Sequence, residues 1–427
     1  MNPWRGLGAL PREVWFLCLA TLINRAGTMV LPFLTLYLTV DRGFSPSTAG
    51  LALTIYGIAA IVIAPISGRL SDRLGGLRII KLSLFLSGLT LLIFPFAKSL
   101  TSIFAMTGLW ALVNEAFRPP SMSIIGDLAG PAQRKAAFAL SRFAINLGMS
   151  IGPVIGGFLA MRSFKLLFYA DATTALLAGL LLVLVPWRSA STNQEQINHQ
   201  TGESQLPGVN ASEVGSPAND SASTVAYSSA PTTAAQPSGW GPRLKDRRFL
   251  YFLAAMIPVE LVFFQSLAAM PLFLVRDLHL TEAGFGMLLA INTVLIILVE
   301  VPLNAAMGDW PHRHSLALGA LLVGIGFGGL AFGSGVFWLA ATVVVWTFGE
   351  MILLPASAAY VSDISPPARS GAYMGLYTMG FSVAFAIGPL LGVQTMERFG
   401  PGAVWIGTFI CGCITATMMW YLREKDS

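Results

Sequence analysis

PPSMSIIGDLAGPAQRKAAFALSRFAINLGMSIGP, residues 119–153, and PASAAYVSDISPPARSGAYMGLYTMGFSVAFAIGP, residues 355–389, carry the same landmarks at one spacing. Pro119, Asp127 and Gly152-Pro153 return as Pro355, Asp363 and Gly388-Pro389, each 236 residues later. Nearly everything between the landmarks is apolar. A chain that repeats itself and is apolar throughout reads as two related helical bundles in a membrane, with a site where the bundles meet.

Composition supports that reading. The 427 residues are 55% hydrophobic and 11% charged, against about 25% charged in a soluble domain. The apolar residues fall in runs of about 20 or more, the length a helix needs to cross a bilayer. Twelve such runs are predicted: 13–39, 46–67, 78–98, 101–127, 135–160 and 165–187, then 247–275, 282–307, 313–333, 336–363, 370–395 and 400–422. The first is too long for a cleaved leader and is expected to remain as a helix. Residues 189–241 are rich in Ser, Thr, Asn, Gln, Pro and Ala and hold few large apolar side chains, so a disordered linker is expected there. The predicted organisation is a six-helix bundle over 1–188, the linker, and a second six-helix bundle over 242–427.

The net charge of +5 invites a nucleic-acid reading, which the distribution of charge excludes. With a cytoplasmic N-terminus, seventeen Lys and Arg fall on the inner side and six on the outer. That is the positive-inside bias, and it places both termini and the linker in the cytoplasm. The Asn210-Ala-Ser212 and Asn219-Asp-Ser221 sequons are then chance matches. Cys18, Cys411 and Cys413 lie in apolar runs and form no disulfide framework or metal site.

Two motifs carry a resemblance. GRLSDRLGGLR, residues 68–78, follows the second run and resembles the loop signature of the major facilitator superfamily at Gly68, Leu70, Asp72, Arg73 and Gly75. The family's next basic pair falls here on Gly76 and Leu77, with Arg78 and Lys81 as substitutes. GMSIGPVIGG, residues 148–157, is similar to the family's antiporter signature at Gly148, Gly152, Pro153, Gly156 and Gly157. Glycines four residues apart also make a groove on one helix face, which admits a close partner helix. The resemblance covers the chain except the linker and is closest to twelve-helix drug:proton antiporters of the bacterial multidrug exporter kind, to which Arg369-Ser-Gly-Ala-Tyr-Met-Gly is also similar. It implies an all-α membrane protein of the major facilitator fold, with twelve transmembrane helices in two pseudo-symmetric six-helix bundles. It also implies an inner-gate latch, in which Asp72 and an arginine, Arg73 or Arg78, join Asp127. The second-half copy is reduced to Gly308-Asp309, so any latch there is weaker.

Ionisable groups at mid-bilayer are functional candidates because they are expensive to keep there. Arg25, preceded by Asn24, lies mid-way along run one, Glu115 and Arg118 along run four, Glu260 along run seven and Glu350 along run ten. By the resemblance these four helices line the central cavity. Glu115 and Arg118, three apart, either neutralise each other or take part in coupling. Arg25 is a coupling residue or a structural counter-ion. Glu350 and Glu260 have no basic neighbour on their own helix, which suits a proton carrier. Glu300, beside Pro302, is a candidate gate, and Asp171 is placed near the outer surface. Aromatic side chains near these charges, Tyr37, Phe117, Phe264 and Trp346 among them, are candidate cavity residues for an amphipathic cation.

The function expected is secondary active export of hydrophobic or amphipathic, often cationic, small molecules in exchange for protons, by a monomer in a bacterial inner membrane. No cofactor or metal is called for, and the proton gradient is the energy source. No Gly-x4-Gly-Lys-Ser/Thr loop is present. Alternatives are proton-coupled movement of a lipid- or peptide-like solute, nutrient import, and a non-transporting sensor on the same scaffold. A membrane enzyme is disfavoured because His199, His279, His312 and His314 all lie in loops.

Overall fold

Helices of 20 to 30 residues, 1.5 Å of rise each, are long enough to span a hydrocarbon layer of about 30 Å. The computed structural model describes Gly8 and residues 10–187, 246–366 and 370–422. Among these are twelve helices of that length and character: Arg12–Asp41, Pro46–Leu74, Gly76–Phe96, Leu100–Ala129, Ala136–Ala160, Phe164–Leu184, Arg247–Leu267, Glu282–Ala306, His312–Ala331, Val336–Ile364, Tyr373–Phe399 and Pro401–Trp420, here spans 1 to 12. The linker expected over 189–241 lies outside the described residues, as do its sequons.

The spans begin where the sequence supplies a cap. Ser45 accepts from the Thr48 N–H (3.2 Å), with Pro46 following, and Ser99 and Thr281 cap spans 4 and 8 in the same way. The Asp246 carboxylate accepts from the N–H groups of Arg248 and Phe249 at the start of span 7. Each cap satisfies backbone donors that the helix leaves unpaired.

Spans 1 and 7, the first of each half, are discontinuous. Span 1 is helical over Arg12–Ala26, breaks, resumes over Val30–Leu36 and ends in a wide turn over Tyr37–Asp41. Span 7 is helical over Arg247–Phe263 and tightens over Phe264–Leu267, and a short turn over Ala269–Pro271 then leads into a wide turn over Leu272–Asp277. Broken backbone at membrane depth must find its hydrogen bonds inside the protein. In span 1 it finds Asp171 of span 6, whose Oδ2 accepts from the N–H groups of Met29 and Val30, both at 3.3 Å. Asp171 is 6% exposed. Asp171 lies in the half of span 6 towards the end opposite the start of span 1, and there it is the buried cap of a helix restart.

The end of the bundle at which span 1 starts is termed the near end, and the opposite one the far end. The two halves close on each other at the far end, where span 5 meets span 8 and span 2 meets span 11. A Cβ on Gly157 would lie 2.5 Å from the Glu282 carbonyl oxygen, and one on Gly286 would lie 2.1 Å from that of Pro153. Phe33 and Phe285 stack edge to face at 5.4 Å, the Thr35 hydroxyl donates to the Leu267 carbonyl (3.3 Å), and Ser47 donates to Glu397. At the near end a cavity of about 490 Å³ separates span 5 from span 8.

Candidate functional site

Each half places a hydrogen-bonded carboxyl group on its fourth span, held from its second. In the first half the Tyr56 hydroxyl of span 2 donates to Glu115 Oε1 (2.9 Å), and Asn114 Nδ2 donates to the Tyr56 oxygen (2.8 Å). In the second half Asn292 of span 8 donates from Nδ2 to Glu350 Oε2 (2.8 Å) and to the Thr347 hydroxyl (3.2 Å). Tyr56 and Asn292 are 236 residues apart, and so are Asn114 and Glu350. The repeat of the landmarks thus extends to the polar groups of the interior. The landmarks alone missed Tyr56 and Asn292, although the same offset leads from one to the other.

The halves differ in charge. Glu115 pairs with Arg118 at 3.6 Å, and Arg118 is 69% exposed although it lies deep in its span. Arg25 lies within electrostatic reach of Glu115, Arg118 and Asp171. It makes no ion pair within 4 Å among the described residues, and its Nε is buried without a hydrogen-bond partner. The expectation of Arg25 as a directly paired counter-ion is therefore corrected: it acts on the Glu115 and Asp171 carboxylates from beyond ion-pair distance. In the second half no described cation pairs with Glu350 or Glu260. Glu260 is 1% exposed and its Oε2 has no partner. It is accommodated by Gly380 of span 11, where a Cβ would lie 3.1 Å from that oxygen. A carboxyl group so placed must find a proton or a cation, because an isolated ion there is costly.

Aromatic rings join the halves beside these groups. Tyr56 packs edge to face on Phe385 of span 11 (5.7 Å), and Phe385 lies against Phe264 of span 7 (4.9 Å). Two other expected cavity residues are elsewhere. Tyr37 is buried among Phe94, Phe164 and Phe168 in the first half, and Trp346 is buried against Phe327 of span 9. Both turn into the core of their own bundle. Phe117 is 3% exposed and Asn24 6%, so both belong to the packed interior, not to an open wall.

The antiporter-motif glycines form a groove that receives the break in span 1. Cβ atoms on Gly148, Gly152 and Gly156 would lie 2.6 Å from the Arg25 Cβ, 3.2 Å from the Ala26 carbonyl oxygen and 3.1 Å from the Met29 Cβ. Pro153 and Gly157, at the end of the groove, meet span 8. In the second half Gly388 lies beside the break in span 7, and its carbonyl accepts from Gln265 Nε2 (2.8 Å). The latch is not engaged. Asp72, Arg73, Arg78 and Asp127 are all exposed, no ion pair joins them among the described residues, and Asp127 accepts only a long contact from Ser123 (3.4 Å). Gly68, expected to admit a close helix, faces open space. At the near end the halves are bridged by the Arg142–Glu300 ion pair and not by the residues of this loop.

The sequence profile described as Major Facilitator Superfamily matches residues 17–273 and 259–427. The chain belongs to the major facilitator superfamily. It is a secondary transporter of small molecules and not an enzyme. It is 24% identical over 424 residues to a Na(+), Li(+), K(+)/H(+) antiporter of Planococcus maritimus, covering 94% of each chain. It is 26% identical over 175 residues to the quinolone resistance protein NorA of Staphylococcus aureus, covering 40% of this chain and 45% of NorA. Its fold matches a crystal structure of the peptide transporter POT with a TM-score of 0.74 at 18% identity, over 98% of this chain and 95% of that one.

Proposed function

We propose that this superfamily member exports hydrophobic or amphipathic, often cationic, small molecules in exchange for protons. The observation that carries the reading is the pair of carboxyl groups, Glu350 and Glu260, with no cation paired to either and aromatic rings at the neighbouring interface. A proton and a cationic cargo satisfy the same group and exclude each other. Loading by one therefore releases the other, and exchange follows when the open end alternates. The excess of basic residues at the near end makes that end cytoplasmic, so the cavity described above accepts cargo from inside. The proton gradient supplies the energy, without a cofactor, and one chain suffices.

The test uses proteoliposomes of the purified chain with an acidic lumen. Tetraphenylphosphonium is expected to accumulate in the lumen about tenfold above protein-free vesicles and to leave when a protonophore is added. Equal accumulation with and without the protein would contradict the reading. A second reading, exchange of a monovalent metal cation, is favoured by the same uncompensated carboxyl groups and by the likeness to the Planococcus antiporter. It predicts that external Na⁺ dissipates the gradient while tetraphenylphosphonium does not move.

A further inference from the structure

We infer that the near-end cavity between spans 5 and 8 is a loading site for an amphipathic organic cation, with Glu300 as its charge ligand and Arg142 as the competitor it displaces. The inference rests on the cargo class proposed above. The cavity, about 490 Å³, is within the range of about 300–1,000 Å³ typical of small-molecule sites. Phe143, Ile297, Pro302 and Pro355 give it apolar walls.

Its charge is supplied by two residues. Arg142 Nη2 of span 5 reaches Glu300 Oε1 of span 8 at 2.5 Å, and this is the one ion pair among the described residues that joins the two halves. The partners are not equivalent. The Arg142 side chain is 64% exposed and the Glu300 side chain 14%. Glu300 is thus the fixed, recessed carboxylate, and Arg142 is the long cation laid over it from the open side. Asn304 fixes the carboxylate's helix by donating from Nδ2 to the Glu300 carbonyl (2.8 Å) and to the Met351 carbonyl of span 10 (3.2 Å). Met351 follows Glu350, and Glu300 is within electrostatic reach of Glu350. A cation that takes Arg142's place therefore stands one step from the carboxyl group proposed to exchange it for a proton.

A recessed carboxylate deprived of its partner seeks another cation. The two partners must then respond in opposite directions. Binding of tetraphenylphosphonium to the purified full-length chain, measured by calorimetry, is expected to weaken at least tenfold in E300Q. It is expected to tighten threefold to tenfold in R142Q and to keep its original value in R142K, with thermal unfolding checking that each variant is folded. If R142Q weakens binding as E300Q does, the pair is only a strut between the halves and the proposal falls. Unchanged binding in both variants would place the cargo elsewhere and overturn this site while leaving the proposed function standing. No binding to the unaltered chain would overturn both.

Discussion

Glu350→Gln is expected to abolish gradient-driven accumulation of cargo, by about a hundredfold or more, while leaving the protein folded. Glutamine keeps the length of the side chain and an oxygen that still accepts from Asn292 Nδ2, so the contact between spans 8 and 10 survives. What is lost is the group that takes up and releases a proton. Removing an interaction while leaving its partner satisfied costs little stability, so loss of transport in this variant reports on coupling, not on folding. Cargo exchange without a gradient is expected to weaken as well, because the carboxylate that takes the proton is also a charge ligand of the cationic cargo. Glu115→Gln is expected to have the smaller effect, since Glu115 already has Tyr56 and Arg118 as partners. Gradient-driven accumulation at the unaltered rate in the Glu350 variant would remove that residue from the mechanism.

Gly286→Ala is expected to shift the protein away from the arrangement described here. The new methyl group would meet the Pro153 carbonyl oxygen at 2.1 Å, a backbone atom that no rotamer change can move aside. Overpacking of this kind costs about 1–3 kcal/mol. That cost is borne only by the state whose far end is closed, so the balance between the two states changes about tenfold or more. Spin labels at Phe158 and Met287, exposed residues on the far halves of spans 5 and 8, are expected to show a longer distance in the variant, and turnover is expected to fall at least tenfold. An unchanged distance distribution would mean that this contact does not set the balance.

Much of this architecture is legible in the residues. Runs of apolar side chains locate the spans, and the predicted starts at 46, 282 and 336 coincide with Pro46, Glu282 and Val336, the first two following a Ser or Thr cap. The glycines of residues 148–157 announce a close helix contact. The sequence does not say that the contact is with a break in span 1, because the break is made by packing and by Asp171 from 142 residues away. Tyr37 and Trp346 look like cavity residues because they lie on the right helices. Which face of a helix turns to the neighbouring half depends on the bundle as a whole, and both turn away. Arg142 is concealed among the basic residues of a span end. Its significance depends on Glu300, with which it shares no local pattern. Tyr56 and Asn292 stand between these cases, since the offset that relates Pro119 to Pro355 also relates them.

On this mechanism a proton and cargo exchange at a single set of carboxyl groups in the second half. Proton release on binding measures this directly. Tetraphenylphosphonium added to the purified chain in weakly buffered detergent solution near neutral pH is expected to acidify the solution by about one proton per cargo bound, and by none in Glu350→Gln. Saturable binding with no proton released from the unaltered chain would show that proton and cargo do not compete, and would contradict the account.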